Sequence, residues 1–258
     1  MKVRKKNINS NDLFSRNWLF INQATQDKIK NVKILCCGVG LGSYLAELLA
    51  RTGFENLIIA DGDVVNRANL NRQAFTHLDI KKNKCIALKK RLKQINPRIK
   101  VKIIDKYLLK KDLEILIPDA DYIINTIDFD HNSFIECNLL CKKFNKIELF
   151  PTNLGFGGSV LVSTPKTPSL VDYFHETDRV RLKNKIVKHL IKESPSTVKN
   201  YFKEYFKTTV PYDPQLGISS FITAALLATT ILKLVDQIDV KVFPEVISSD
   251  FESIVEAD

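Results

Sequence analysis

Val32-Lys33-Ile34-Leu35-Cys36-Cys37-Gly38-Val39-Gly40-Leu41-Gly42-Ser43 is the stretch on which the fold turns. An apolar run broken only by Lys33 reads as a strand over Val32 to Cys37. Three glycines follow, and then an amphipathic helix from Leu41 to Thr52. Glycines at such a junction let backbone amides at a helix N-terminus approach a phosphate or ribose closely. Because Ser43 holds the last position, the loop does not complete G-x-G-x-x-G, and a merely tight strand-to-helix turn is its bland reading. A second strand, Asn56 to Ala60, runs into Asp61, about 20 residues downstream, where an acid commonly hydrogen-bonds a ribose. Loop and acid together imply a nucleotide without saying which one.

Working outward, apolar runs keep alternating with helical ones, the signature of a parallel sheet covered by helices. The pattern predicts a helix over Lys81 to Ile95 that stops before Pro97, and a strand over Lys100 to Ile104. A short helix over Lys111 to Ile117, a strand over Asp121 to Asn125, a helix over His131 to Phe144 and a strand over Ile147 to Phe150 follow. After Pro151 the strand Gly155 to Val162 returns from a tight turn with no helix between, so the later strands are expected to be antiparallel. Two basic helices between His175 and Thr209 flank Ser194-Pro195-Ser196. A long helix, Gly217 to Asp236, and a strand, Glu245 to Ser249, close the chain. The expected class is α/β: a Rossmann-like doubly wound sheet, parallel in its first half with antiparallel later strands, plus a basic helical insertion. The expected organisation is an N-terminal arm and helix (1–30), a nucleotide-binding core (31–174), the basic insertion (175–210) and a segment completing the core (211–258).

Of the 258 residues, 45% are apolar and 26% charged, a globular balance that excludes a disordered chain. Met1 to Asn11 carries Lys2, Arg4, Lys5 and Lys6 without the apolar stretch of a secretory signal. The most apolar run, Ile218 to Leu232, is broken by Ser and Thr and falls short of the ~20 residues that span a bilayer, so it reads as a buried helix. No membrane partner is expected. Five cysteines form neither an even framework nor a zinc-type C-x-x-C, which suits a reducing cytoplasm. Cys36 and Cys37 read as strand packing. Cys137 and Cys141 share a helix face but make a poor metal site as two thiols alone, and Cys85 reads as a helix position open to solvent, with a reactive role only the lesser alternative. The net charge is +10, and between Arg179 and Lys207 nine Lys or Arg face only Glu193 and Glu204. That segment is either a solvated helical face or a docking surface for an acidic protein or RNA. Nucleic acid as a partner has no support beyond this charge.

Four further elements narrow the nucleotide. They are Asp61-Gly62-Asp63; Asn69-Leu70-Asn71-Arg72-Gln73; Lys84 in the helix ending at Ile95-Asn96-Pro97; and Asp128 after the fourth strand. With Ser15-Arg16-Asn17-Trp18-Leu19-Phe20 ahead of the first strand, the chain resembles the ThiF/MoeB/HesA E1-like adenylyltransferase superfamily from about Leu13 to Ser249. The resemblance is weak only through 165 to 210. Its members adenylate carboxylates of ubiquitin-like proteins, sulfur carriers or peptides. The resemblance implies that Gly38, Gly40 and Gly42 approach ATP and that Asp61 holds the ribose, with Asp63 beside it in the D-x-D element. It implies that Asn69, Arg72, Gln73 and Lys84 surround the triphosphate and that Asp128 holds Mg²⁺. It also implies a homodimer in which Arg16 reaches the partner's nucleotide. Acyl-adenylate chemistry independently calls for such a set, since charge builds on both the α-phosphate and the leaving pyrophosphate. Taken singly, Arg72 and Lys84 also read as surface charges, Asp61 as a turn partner and Asp128 as a helix cap.

The sequence also departs from that family. Relatives usually carry G-x-G-G-x-G, and the loop here is one residue short. Pro165 to Tyr173 and Ser248 to Asp258, where relatives place zinc-binding C-x-x-C pairs, hold no cysteine, so no zinc is expected. No cysteine follows Cys141, so no thioester or persulfide cysteine is in place and adenylation would end this chain's own covalent work. In this the sequence looks most like the zinc-free branch that dehydrates a modified tRNA base and the peptide-adenylating branch. Two other readings stay open: a non-catalytic E1-like subunit that recruits a partner, and a dinucleotide-dependent oxidoreductase, which leaves N-L-x-R-Q, Lys84 and Asp128 unexplained.

Overall fold

The computed structural model describes residues 12–192, 196–205, 207 and 213–250. The basic stretch Lys2 to Lys6, the Ser194-Pro195 break and the segment 251–258 lie outside the described residues. In chain order the elements are α1 (Gln23–Ile29), β1 (Lys33–Cys37), α2 (Gly42–Thr52), β2 (Asn56–Ala60), α3 (Lys84–Ile95), β3 (Lys100–Ile104), α4 (Lys110–Leu116), β4 (Tyr122–Asn125) and α5 (Ser133–Lys143). They continue with β5 (Ile147–Leu154), β6 (Gly157–Ser163), α6 (Leu170–Phe174), α7 (Arg179–Lys192), α8 (Ser196–Tyr205), α9 (Gly217–Val235) and β7 (Ile247–Asp250).

The strands form one sheet in the order β3-β2-β1-β4-β5-β6-β7. Pairing is parallel from β3 through β5 and antiparallel for β5–β6 and β6–β7, so the expected mixed α/β sheet is what forms. β1 carries Ile34, Leu35, Cys36 and Cys37, all fully buried, because helices cover both faces of a parallel sheet. The order reverses between β1 and β4. That is the switch point of an open α/β sheet, where a crevice opens at the carboxyl ends of the strands.

Boundaries moved where local chemistry overrode apolar pattern. β5 continues past Phe150 to Leu154, with Pro151 opposite Val160 of β6. Beyond Leu149 the strand has left its β4 pairing, so Pro151 sits where one side of the strand is an edge and the missing N–H costs little. α3 begins at Lys84 rather than Lys81. Lys81 has a φ of 69°, and Asn83 caps the helix by accepting from the amides of Cys85 and Ile86.

That capped start also overturns the reading of Cys85 as open to solvent. One residue into α3, its side chain turns inward and is fully buried, with Sγ 3.7 Å from the carbonyls of Ile59 and Asp61. Burial, and then the nearby Asp61 charge, push the thiol up to about 12, so it is unreactive. Cys137 and Cys141 do share a face of α5, and the fold adds a third group that spacing did not reveal. The buried Glu148 of β5 brings a carboxylate oxygen within 4.8 Å of both thiols. Its oxygens already accept from the amides of Asn125 and Asn138.

α9 is long and apolar enough to cross a bilayer by length and composition alone. It packs Ala224, Leu227 and Ile231 into the cluster formed by β1, β2, β6, α2 and α3. The basic segment folds as α7 and α8. α7 inserts Leu182, Ile186 and Leu190 among Phe134, Phe150 and Leu161, which leaves its charges on the other face.

Candidate active site

The glycine loop is held from below by β4. Thr126 donates its hydroxyl to the carbonyls of Cys37 and Gly38, and a Cβ on Gly38, where φ is 95°, would meet the Thr126 carbonyl at 2.6 Å. On the other side Gln73 crosses the loop, its Nε2 lying 3.1 Å from where a Cβ on Gly40 would sit. Ser43, which spoils the glycine pattern, joins two loops instead. Its hydroxyl donates to the Gly40 carbonyl and accepts from the amide of Ala74, so the glycine loop is tied to the loop carrying Asn69, Arg72 and Gln73. Asn69 closes a capping box with Asn66, which shapes that second loop.

Asp61, at the carboxyl end of β2, accepts from the amide of Val39 at 2.9 Å and from that of Asp63 at 2.8 Å. Lys84 is 5% exposed, and its ammonium lies 2.7 Å from Asp63 and 4.0 Å from Asp61. Burial works to raise the Asp63 carboxyl, but hydrogen bonds from Lys84 and Tyr107 outweigh it and hold the group below its ordinary value. Asp128, past the end of β4, keeps a face to solvent. The protein around it nevertheless desolvates the carboxylate and raises its pKa; Lys84 opposes the rise, and Asp63, Asp61 and Asp130 add to it. Arg72 points its guanidinium at the Ala68 carbonyl, the Asn71 side chain and Gln215, at 2.5, 2.9 and 3.2 Å.

Gly38, Gly40, Gly42, Asp61, Asp63, Gln73, Lys84 and Asp128 thus gather at the carboxyl ends of β1, β2 and β4, with Asn69 and Arg72 on the adjoining loop. Arg16 does not join them. It is exposed on a turn whose Asn17 side chain donates to the Thr52 carbonyl. Thr52 ends the 11-residue α2, about 16 Å from the glycine loop at 1.5 Å per residue. Beside Arg16 the apolar Trp18, Leu19 and Phe20 are 48, 78 and 92% exposed.

Two rings at the site were not singled out from sequence. Tyr107 donates its hydroxyl to Asp63, which raises the phenol to about 12, and stacks on His131 with ring centroids 5.8 Å apart. Tyr107 follows β3 by three residues, so placement at a strand's carboxyl end was the signal that could have found it. A lysine-lined groove of about 460 Å³, bordered by Lys33, Lys89, Lys93, Lys100 and Lys102, lies at the amino ends of the strands and shares no residue with this site.

The arrangement suits a nucleotide triphosphate. Its glycines let the loop backbone pack closely against Thr126 and Gln73, and Lys84 and Arg72 supply charge. The Oε1 of Gln73 is buried without a hydrogen-bond partner among the described residues. Asp128 and its neighbouring acids offer the hard oxygens that Mg²⁺ takes.

Comparison with known proteins gives concordant findings. The ThiF family model matches residues 14–253. The sulfur carrier protein ThiS adenylyltransferase of Escherichia coli is 33% identical over 142 residues, 54% of this chain and 56% of that protein. The tRNA threonylcarbamoyladenosine dehydratase of Bacillus subtilis is 33% identical over 118 residues, 45% of this chain and 46% of that protein. The chain therefore matches about half the length of these curated relatives. Among solved structures, E. coli MccB with MccA-N7isoASN has a TM-score of 0.69 at 22% identity, covering 94% of this chain and 72% of that one. PaaA has a TM-score of 0.66 at 20% identity, covering 89 and 72%. At such identities these two likenesses speak to the fold.

Proposed function

The chain belongs to the ThiF family, and from that premise we propose that it uses ATP and Mg²⁺ to adenylate a carboxylate and release pyrophosphate. The observation that carries this reading is the meeting of buried Lys84 with Asp61, Asp63 and Asp128 around a glycine loop at the sheet's switch point. In the reaction a carboxylate oxygen of the acceptor attacks the α-phosphorus, the bond from that phosphorus to the β-bridging oxygen breaks, and the electron pair leaves with pyrophosphate. Asp61 holds the ribose, beside Asp63 in the D-x-D turn. The loop from Gly38 to Gly42 admits the phosphates, and Lys84, Arg72, Asn69 and Gln73 offset the charge that builds on them. Asp128 would hold Mg²⁺, which when bound would further neutralise the leaving group.

The acceptor we favour is the C-terminus of a small ubiquitin-like or sulfur-carrier protein or of a peptide. The names of the E. coli ThiS adenylyltransferase and of MccB with its MccA support this choice. A homodimer with Arg16 reaching the partner's site accounts for an arginine set about a helix length from its own glycine loop. The five free cysteines suit the reducing cytoplasm. A second reading, activation of a modified tRNA base, is favoured by the B. subtilis dehydratase relative.

ATP–pyrophosphate exchange tests the proposal. Exchange should appear with candidate acceptors encoded in neighbouring genes and vanish when their terminal carboxylate is amidated. Exchange that depends on tRNA instead would select the second reading, and absence of ATP binding would reject both.

A further inference from the structure

Arg72 is held by a segment that arrives from far along the chain. Gln215 Oε1 accepts from the guanidinium Nε at 3.2 Å, and the Gln215 carbonyl accepts from the Asn71 side chain at 3.3 Å. The same Oε1 lies 3.5 Å from the amide nitrogen of Asn153, so one oxygen gathers Arg72 and the end of β5. The approach is close: a Cβ on Gly217 would meet the Asn71 carbonyl at 2.5 Å.

Two residues before Gln215, Asp213 ties down the basic insertion. Its carboxylate accepts from Lys183 of α7 at 2.8 and 2.9 Å and from the Tyr205 hydroxyl of α8. α7 in turn grips the loop after β4. Arg179 donates to the Phe129 carbonyl at 2.7 Å and lies 3.7 Å from Asp130, and the Lys183 ammonium sits 5.6 Å from the Phe129 ring. α7 therefore touches the loop next to Asp128 and, through Lys183 and Asp213, is tied to the stretch that holds Arg72.

We infer that Gln215 is a positioning residue that aims Arg72 at the outer phosphates of ATP, and that the Asp213 latch makes this aim depend on the basic insertion being docked. The inference rests on the proposed ATP site. The reason is geometric: of the five donors of the planar guanidinium, Nε goes to Gln215 and Nη1 to Ala68 and Asn71, so fixing Nε sets the direction in which Nη2 points. Losing Gln215 frees Nε and leaves the guanidinium tethered only through Nη1 to the Ala68 carbonyl and the Asn71 side chain, without removing its charge.

Calorimetric titration with Mg²⁺–ATP and with AMP tests this. Gln215→Ala should weaken ATP binding roughly two- to tenfold, the worth of one positioning hydrogen bond, and leave AMP binding unchanged, since AMP has no outer phosphates. Asp213→Ala should act in the same direction, and the double variant should be no weaker than the poorer single one, because both act through one strap. Lys188→Met, which alters the charge of α7 away from the latch, should bind ATP as the unaltered chain does. Equal weakening of ATP and AMP, full additivity, or unchanged ATP affinity in Gln215→Ala each overturns the strap. If the unaltered chain binds no ATP, the functional reading fails with it; if it binds and only the variants disappoint, the strap alone fails.

Discussion

Asp63 and Asp128 both feel the charge of Lys84, yet their surroundings shift their carboxyls in opposite directions. Asp63 is lowered by Lys84 and Tyr107 against the opposing effect of burial. Its stabilising contribution is therefore present above its unfolded pKa near 4 and is lost as pH falls through the lower folded value. Replacing it with Asn should flatten the acid limb of stability against pH, as urea midpoints between about pH 3 and 6 will read. Asp128 is raised, so its ionised form burdens the metal-free fold at neutral pH. Asp128→Asn should accordingly raise the urea midpoint without metal while weakening adenylation, with partial rescue by extra Mg²⁺. A lowered midpoint would return Asp128 to a structural role. Arg72→Ala and Lys84→Ala should cut pyrophosphate exchange by on the order of 100-fold or more, the usual cost of removing one group aimed at developing charge. Arg72→Ala, at a half-exposed loop, should do so with an unchanged melting transition. Exchange at the parent rate in both would remove them from the site.

Elements were legible where burial wrote itself into the strand: β2 is an apolar run buried along its length, and the edge strand β3 alternates lysine with apolar residues, and both begin and end where their residues predict. Legibility failed where a cap or a partner strand decides. The cap by Asn83 starts α3 three residues late and turns Cys85 inward. Asn83→Ala should cost about 1 kcal/mol in denaturant unfolding, and it should also weaken ATP binding, because Lys84 is the first residue that the cap fixes. Normal ATP affinity in a destabilised Asn83→Ala protein would uncouple the two. The family motifs made most of the site readable, since the glycine loop, Asp61 and Lys84 lie within one stretch of about 50 residues. Tyr107 and Gln215 were not, because they reach Asp63 and Arg72 across 44 and 143 residues. Such contacts leave no periodicity in the sequence. Glu148 went unread for the same reason: a carboxylate within an apolar strand becomes intelligible only once Asn125 and Asn138 are beside it.

At the scale of the whole molecule, the proposed dimer is what would give the exposed Arg16 a site to act on. A C2 dimer would bring two such arginines to two sites, each completed by the other subunit. Mixing Arg16→Ala with Lys84→Ala chains should then restore one working site per heterodimer, since both defects fall in the same composite site and leave the other whole. Exchange assays on mixed and parent proteins check this; heterodimers that recover nothing would leave Arg16 outside the chemistry. The neighbour of Arg16 offers an optical handle on the same question. Trp18 is the chain's single tryptophan, and its indole is about half bathed in water. A subunit settling over that corner would take the indole into an apolar setting, so the intrinsic emission of the unlabelled protein should shift to shorter wavelength as concentration rises. One cuvette and a dilution series would then read out assembly at the corner that carries Arg16.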